Sequence, residues 1–139
     1  MERKFTFYLL LVLTLLTSSC ARHYFLNYST ANNNVGNLVL RPNKPTERTF
    51  VTINDSLIIK KKNVKSVTVR NVPIGTHNIH YISENGWYKE KLNAELSIQI
   101  ENNKTVTKLI EVPPLSTGYW VYVTSIAVLP WLIIWAGSM

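Results

Sequence analysis

Three histidines, eight carboxylates and one cysteine are the side chains of this 139-residue chain with the most obvious chemistry to offer. His77 and His80 are three apart, so a strand turns them to opposite sides and denies them a shared metal ion. With His23 far off in sequence, Cys20 the only cysteine and no carboxylate spaced to complete the set, a zinc site is not expected. The carboxylates from Glu47 to Glu111 fall singly in turns or on polar strand faces, without the pairing that acid/base work needs. No Gly-x-Ser-x-Gly elbow, phosphate loop or dinucleotide fingerprint occurs, and Gly75-Thr76-His77 reads as a turn into a strand. A non-enzymatic protein without metal or cofactor is the expectation. The lone thiol of Cys20 cannot close an internal disulfide, so its use depends on what surrounds it.

What precedes it is a leader. Arg3 and Lys4 form a basic start, residues 5–16 an apolar run too short for a comfortable membrane span, and Thr17-Ser18-Ser19 a small-residue approach to Cys20. An export signal over residues 1–19 places everything later outside the cytoplasm. The run ending Ser18-Ser19-Cys20 resembles the lipobox of bacterial lipoproteins, with Leu16 one place earlier than usual and Thr17 in its stead. That resemblance implies cleavage before Cys20, a diacylglycerol on its sulfur and an N-acyl chain on its new amino group. Each buried CH₂ adds about 0.8 kcal/mol, so two or three chains anchor firmly. The plainer alternative is an ordinary signal peptide with an incidental cysteine.

Charge comes next. Removing Arg3, Lys4 and Glu2 from totals of 15 basic and 8 acidic residues leaves 13 and 7, a net +6 on the remaining 120 residues. Eight of those basic residues lie between Arg41 and Arg70, and Lys60, Lys61, Lys62 and Lys65 are the candidate contact with an anionic surface, membrane lipid or acidic envelope polymer. A solvated strand face is the competing account. Nucleic acid is not an expected partner, because the signal exports the chain and the basic residues lack interleaved aromatics.

The elements that must position these groups are short and β-branched. Residues 20–37, with Asn32-Asn33-Asn34 and Gly36, read as a tether, although Tyr24, Phe25 and Tyr28 could sit at the membrane interface or pack on the domain. Residues 38–113 carry alternating runs that place strands near 37–41, 49–53, 57–60, 64–70, 76–83, 87–91, 94–101 and 105–112. Asn54-Asp55, Glu84-Asn85-Gly86 and Asn102-Asn103 supply the turns. The expected fold is all-β, a small antiparallel sandwich of about seven to eight strands.

Phe50 to Asp55, Val72-Pro73-Ile74-Gly75-Thr76-His77 and Gly86-Trp87-Tyr88 resemble the strand, loop and aromatic corner of PEGA-type or carboxypeptidase-regulatory-like domains. The resemblance covers about 65 residues, lacks the PEGA tetrapeptide, and implies a binding or spacer module of the cell envelope. After a linker at 114–118, residues 119–136 contain no charge and read as an apolar helix about 27 Å long, suited to insertion in a membrane. Tyr119, Trp120 and Tyr122 at one end, with Trp131 and Trp135 at the other, would form interfacial belts around a span kinked at Pro130. A tail packed on the domain or a partner, or a re-entrant segment, is the alternative.

The whole reads as an envelope lipoprotein whose basic β domain binds or spaces at the membrane, on the periplasmic side, with the inner membrane favoured if the helix spans. The other reading makes it an accessory subunit of a secretion, transport or surface-assembly complex, its helix among partner helices.

Overall fold

The turn at Asn54-Asp55 organises the chain. Both residues adopt positive φ, 46° and 64°, and Ile53 pairs directly with Ser56 across them. Two such residues make the two-residue hairpin connection whose twist suits the flanking strands, and Asn and Asp tolerate that region best after Gly. The computed structural model describes residues 20–28 and 34–136, with side chains to residue 128. The expected signal segment, residues 1–19, lies outside these residues.

Seven strands occur among the described residues: β1 (Arg22–Asn27), β2 (Val35–Pro42), β3 (Thr46–Ile53), β4 (Ser56–Pro73), β5 (Gly75–Ser83), β6 (Leu92–Ile100) and β7 (Thr105–Ile110). They form one sheet in the order β6-β5-β3-β4-β2-β7, with β1 also on β4. The all-β expectation holds. The antiparallel sandwich is corrected to one continuous sheet with two parallel pairings, β1 with β4 and β2 with β7.

β4 explains how one sheet encloses a core. Its first part pairs with β3, from Ser56 to Val64, and its second with β2, from Val67 to Pro73. The two ends of β4 nevertheless meet at one ring: Asn54, at the hairpin turn, and Pro73 both hydrogen-bond His77, at 2.9 and 2.8 Å. The strand is therefore folded back near Val64. Between the expected strands 57–60 and 64–70, the polar residues Lys61-Lys62-Asn63 leave no gap; a register irregularity, with Lys61 at φ 49°, carries the strand through them.

Val67 and Val69 of the second half alternate inward, as strand geometry requires, while the irregular first half turns in Ile59 and Val64. Leu38, Leu40, Val51, Ile53, Val64, Val67, Val69, Ile79, Tyr81, Ile98 and Ile100 share one buried cluster. The strands at the two ends of the order, β6 and β7, also approach each other, and β6 approaches β2, without pairing. Gly36 makes that approach possible, because a Cβ there would stand 2.5 Å from the Glu101 carbonyl oxygen.

Two further elements depart from expectation. Residues 20–37 contain β1, where Tyr24 and Leu26 alternate inward and pack on the core with Tyr28. Residues 87–91 form no strand; a single bridge joins Tyr88 to Leu115. Tyr88 packs against the core, while Trp87 turns to the following helix. That helix, α1 (Thr117–Ala136), begins inside the segment expected to be linker.

Inside the core sits one polar chain. Thr46 Oγ1 lies 2.6 Å from the Tyr81 hydroxyl, and Thr49 Oγ1 donates to Thr46 Oγ1 at 2.8 Å. All three residues are fully buried. Burial pushes the Tyr81 phenol above its ordinary value of 10.0, outweighing the hydrogen bonds from Thr46 and Thr49 that favour ionisation. A raised folded-state value means the contribution is complete below the unfolded value and lost as pH rises through the folded one. Chemical denaturation from neutral to strongly alkaline pH should show a smaller loss of stability in Tyr81→Phe than in the parent; equal losses would rule the phenol out as a source.

Candidate functional site

Strand polarity gathers the candidate residues at one end of the sheet. Val64 pairs with Arg22, at the start of β1, and with Thr46, at the start of β3. Pro42 pairs with Ile110 where β2 and β7 finish, and Ser83 pairs with both Thr49 and Leu92. Cys20, exposed and two residues before β1, therefore leaves from the end where the β5–β6 loop emerges.

α1 starts at that same loop. Ser116 N–H donates to the Trp87 carbonyl at 2.7 Å, and Lys89 N–H to Pro114 at 2.9 Å. The Trp87 ring stacks on Tyr122 at 5.1 Å between centroids and meets the edge of Tyr119 at 5.7 Å. Such contacts contribute about 0.5–1.5 kcal/mol beyond area burial. Trp87, missed as a partner of the helix, joins Tyr119 and Tyr122 in one cluster; Trp120 meets the edge of Tyr119 at 5.6 Å. Asn85 turns the loop by accepting the Trp87 N–H at 2.9 Å.

Beyond this cluster α1 finds little to pack on. Trp120, Val121, Tyr122, Ile126 and Val128 are each at least half exposed. Two of its hydroxyls are satisfied within the helix: Thr124 donates to the Trp120 carbonyl at 2.8 Å and Ser125 to Val121 at 2.7 Å. No helix of the described residues is long and apolar enough to cross a membrane, so the expected span is not found among them. Trp131 and Trp135 lie beyond residue 128, the last whose side chain is described.

The basic residues divide into two groups. Lys60, Lys61 and Lys62 are exposed on the irregular first half of β4. Lys65 lies past the bend, where Arg22 pairs with Val64 but His23 with Ser66, so Lys65 is the extra residue of a bulge. That bulge sets Lys65 beside Arg41 and Lys44 on an outward cleft of about 620 Å³. The sequence places all three in the basic stretch from Arg41 to Arg70 but singles out only Lys65 as a contact; the pairing of β2 with β4 brings Arg41 and Lys44 alongside it.

Among the histidines, His77 faces inward and His80 outward, where its Nδ1 is 3.5 Å from Glu95. The His77 ring links the Asn54 turn to the Pro73 carbonyl and meets the edge of Tyr28 at 6.2 Å. Those contacts are structural. No group of three metal-ligating side chains occurs among the described residues. No protein-family model matches the chain, and no curated protein matches it.

Proposed function

We infer that the protein is a membrane-anchored envelope lipoprotein, its β domain a non-enzymatic binding or spacer module held close to the bilayer. One observation carries this reading: Cys20 and the aromatic start of α1 leave from the same end of the sheet. A diacylglycerol and N-acyl chain on Cys20 would place that end at the headgroups. Tyr119, Trp120 and Tyr122 are the residues expected at that depth, because their rings suit a boundary that is apolar on one side and wet on the other. The apolar side chains that α1 exposes from Trp120 to Val128 are left uncovered by its own domain and would be covered by the apolar side of that boundary. Thr124 and Ser125 are bonded internally, so neither hydroxyl would enter it unpaired. The PEGA-like resemblance fits a module of this kind, and the exposed lysines at 60–62 would face anionic lipid or polymer. Two attachments convert encounters with partners into a search in two dimensions at raised effective concentration.

Cys20→Ser should abolish incorporation of labelled fatty acid while leaving the β-rich circular dichroism spectrum unchanged, since Cys20 is exposed and has no place in the core. Persistent labelling would overturn the anchor. Extraction of the full chain in mild detergent should give a small monodisperse species; a stable larger assembly would instead place α1 among partner helices.

A further inference from the structure

We propose that the cleft formed by Arg41, Lys44 and Lys65 binds the phosphate of an anionic phospholipid headgroup in the bilayer that carries the anchor. The inference rests on the anchor at Cys20 and goes beyond it, by giving the domain a lipid preference of its own.

Three features carry it. The cleft gathers three cationic side chains from separate parts of the chain: Arg41 from the end of β2, Lys44 from the β2–β3 loop and Lys65 from the β4 bulge. No aspartate or glutamate lines it. Convergent positive charge without a neutralising carboxylate attracts an anion, and the guanidinium offers a planar fork that matches two phosphate oxygens.

The second feature is the wall. Leu109 is 62 % exposed beside Arg41, its partner in the β2–β7 pairing, and Pro42 and Pro45 add further apolar surface. Cations over an apolar wall suit a molecule whose phosphate is joined to glycerol and hydrocarbon better than they suit a free ion, which gains nothing from the wall.

Position is the third. His23 lines the cleft from β1, with Nδ1 2.6 Å from Ser66 Oγ. It is three residues from Cys20, and at strand spacing that separation is about 10 Å, which sets the cleft at the outer edge of a headgroup layer roughly 5–8 Å deep. A lipid held at Cys20 thus brings neighbouring headgroups to the cleft. Residues 60–62, the basic run most visible in the sequence, do not line it.

Amine acylation followed by mass spectrometry on the full lipidated chain tests this. The chain is reconstituted in vesicles of phosphatidylcholine alone, or of phosphatidylcholine and phosphatidylglycerol in equal parts. Lys44 and Lys65 should be acylated about threefold or more slowly in the anionic vesicles, and high salt should restore the rate, because screening shortens the reach of exposed charge. Lys104, on the β6–β7 turn at the opposite end of the sheet, should react equally in both. Equal rates at Lys44 and Lys65 in the two vesicles, or slowing shared by Lys104, would overturn the inference. So would equal protection by inorganic phosphate in neutral detergent, which would assign the cleft to a free anion. Arg41→Gln with Lys65→Gln, both at exposed positions, should erase the difference between vesicles at Lys44; a difference that survives counts against the cleft.

Fatty-acid labelling at Cys20 keeps the two readings apart. A lipidated chain with an unprotected cleft overturns the cleft alone, whereas a protected cleft on a chain without acyl label overturns the anchor alone.

Discussion

Tyr81→Ala is expected to lower stability by about 4 kcal/mol, near the top of the range for large-to-small core substitutions. Tyr81 is fully buried in β5, and its ring is the largest of the fully buried side chains among the described residues. Truncation leaves a ring-sized void and also strips Thr46 of its partner at 2.6 Å. Thr49 still donates to Thr46 at 2.8 Å, so the loss falls mainly on the Thr46 hydroxyl, whose remaining acceptor is the Val64 carbonyl at 3.4 Å. Tyr81→Phe separates the two costs, because it keeps most of the ring and should lose only about 1–2 kcal/mol. For a domain of this size the alanine variant should melt about 15 °C or more below the parent. Circular dichroism melts of the three proteins check the order; an alanine variant as stable as the phenylalanine variant would mean that the core collapses around the void.

Gly36→Val should be nearly as damaging, for the opposite reason. A Cβ at position 36 meets the Glu101 oxygen at 2.5 Å, the Ile100 Cγ2 at 2.8 Å and the Lys104 oxygen at 2.8 Å. Two of these three are backbone atoms of the β6–β7 turn, which cannot rotate aside as a long side chain can. The turn also accepts the Asn37 N–H at Lys104, at 2.8 Å, and donates its Asn103 N–H to Val35 at 2.9 Å. Pushing it away therefore breaks the seam that brings β2 against the far strand of the sheet. A loss of about 3 kcal/mol or more is expected from such overpacking. Hydrogen exchange at residues 101–106 should rise with it, and unchanged exchange there would show that the seam tolerates the extra carbon.

Much of this architecture is legible in the sequence where period-two alternation is unbroken. Leu96, Ile98 and Ile100 announce β6, and Val67 and Val69 announce the second half of β4, because each run has one face to bury. Asn54-Asp55 is equally plain, since few other pairs hold positive φ in succession. The failures share a cause. The alternation divides β4 into 57–60 and 64–70 because Lys61 to Asn63 offer nothing apolar, yet a backbone irregularity resets parity without needing a hydrophobic residue. β1 was read as tether although Tyr24, Leu26 and Tyr28 do alternate; its support is a parallel neighbour some 40 residues away, which no local pattern reveals. Residues 87–91 show strand-like aromatics, but Trp87 is engaged by Tyr119 and Tyr122.

The candidate site divides along the same line. Cys20 needs only its local context to be noticed. The cleft does not, because Arg41, Lys44 and Lys65 become neighbours only when β4 bends and β2 pairs along its second half. The aromatics at 119–122 stand out as a group, while Trp87, which they stack on, falls in an expected strand and aromatic corner. Side chains that meet through non-local pairing leave no signature at any fixed spacing.

The edge position of β1 has a mechanical consequence. Its six residues run alongside β4 in one direction, beginning at the end from which Cys20 departs. Tension applied through Cys20 along that strand pulls parallel to it, across inter-strand bonds that lie broadly transverse to the load. The bonds then resist together in shear instead of opening one after another like a zipper. A domain joined to a surface in this manner withstands a sustained tug, and would come apart far more readily if β1 were hauled sideways, away from β4.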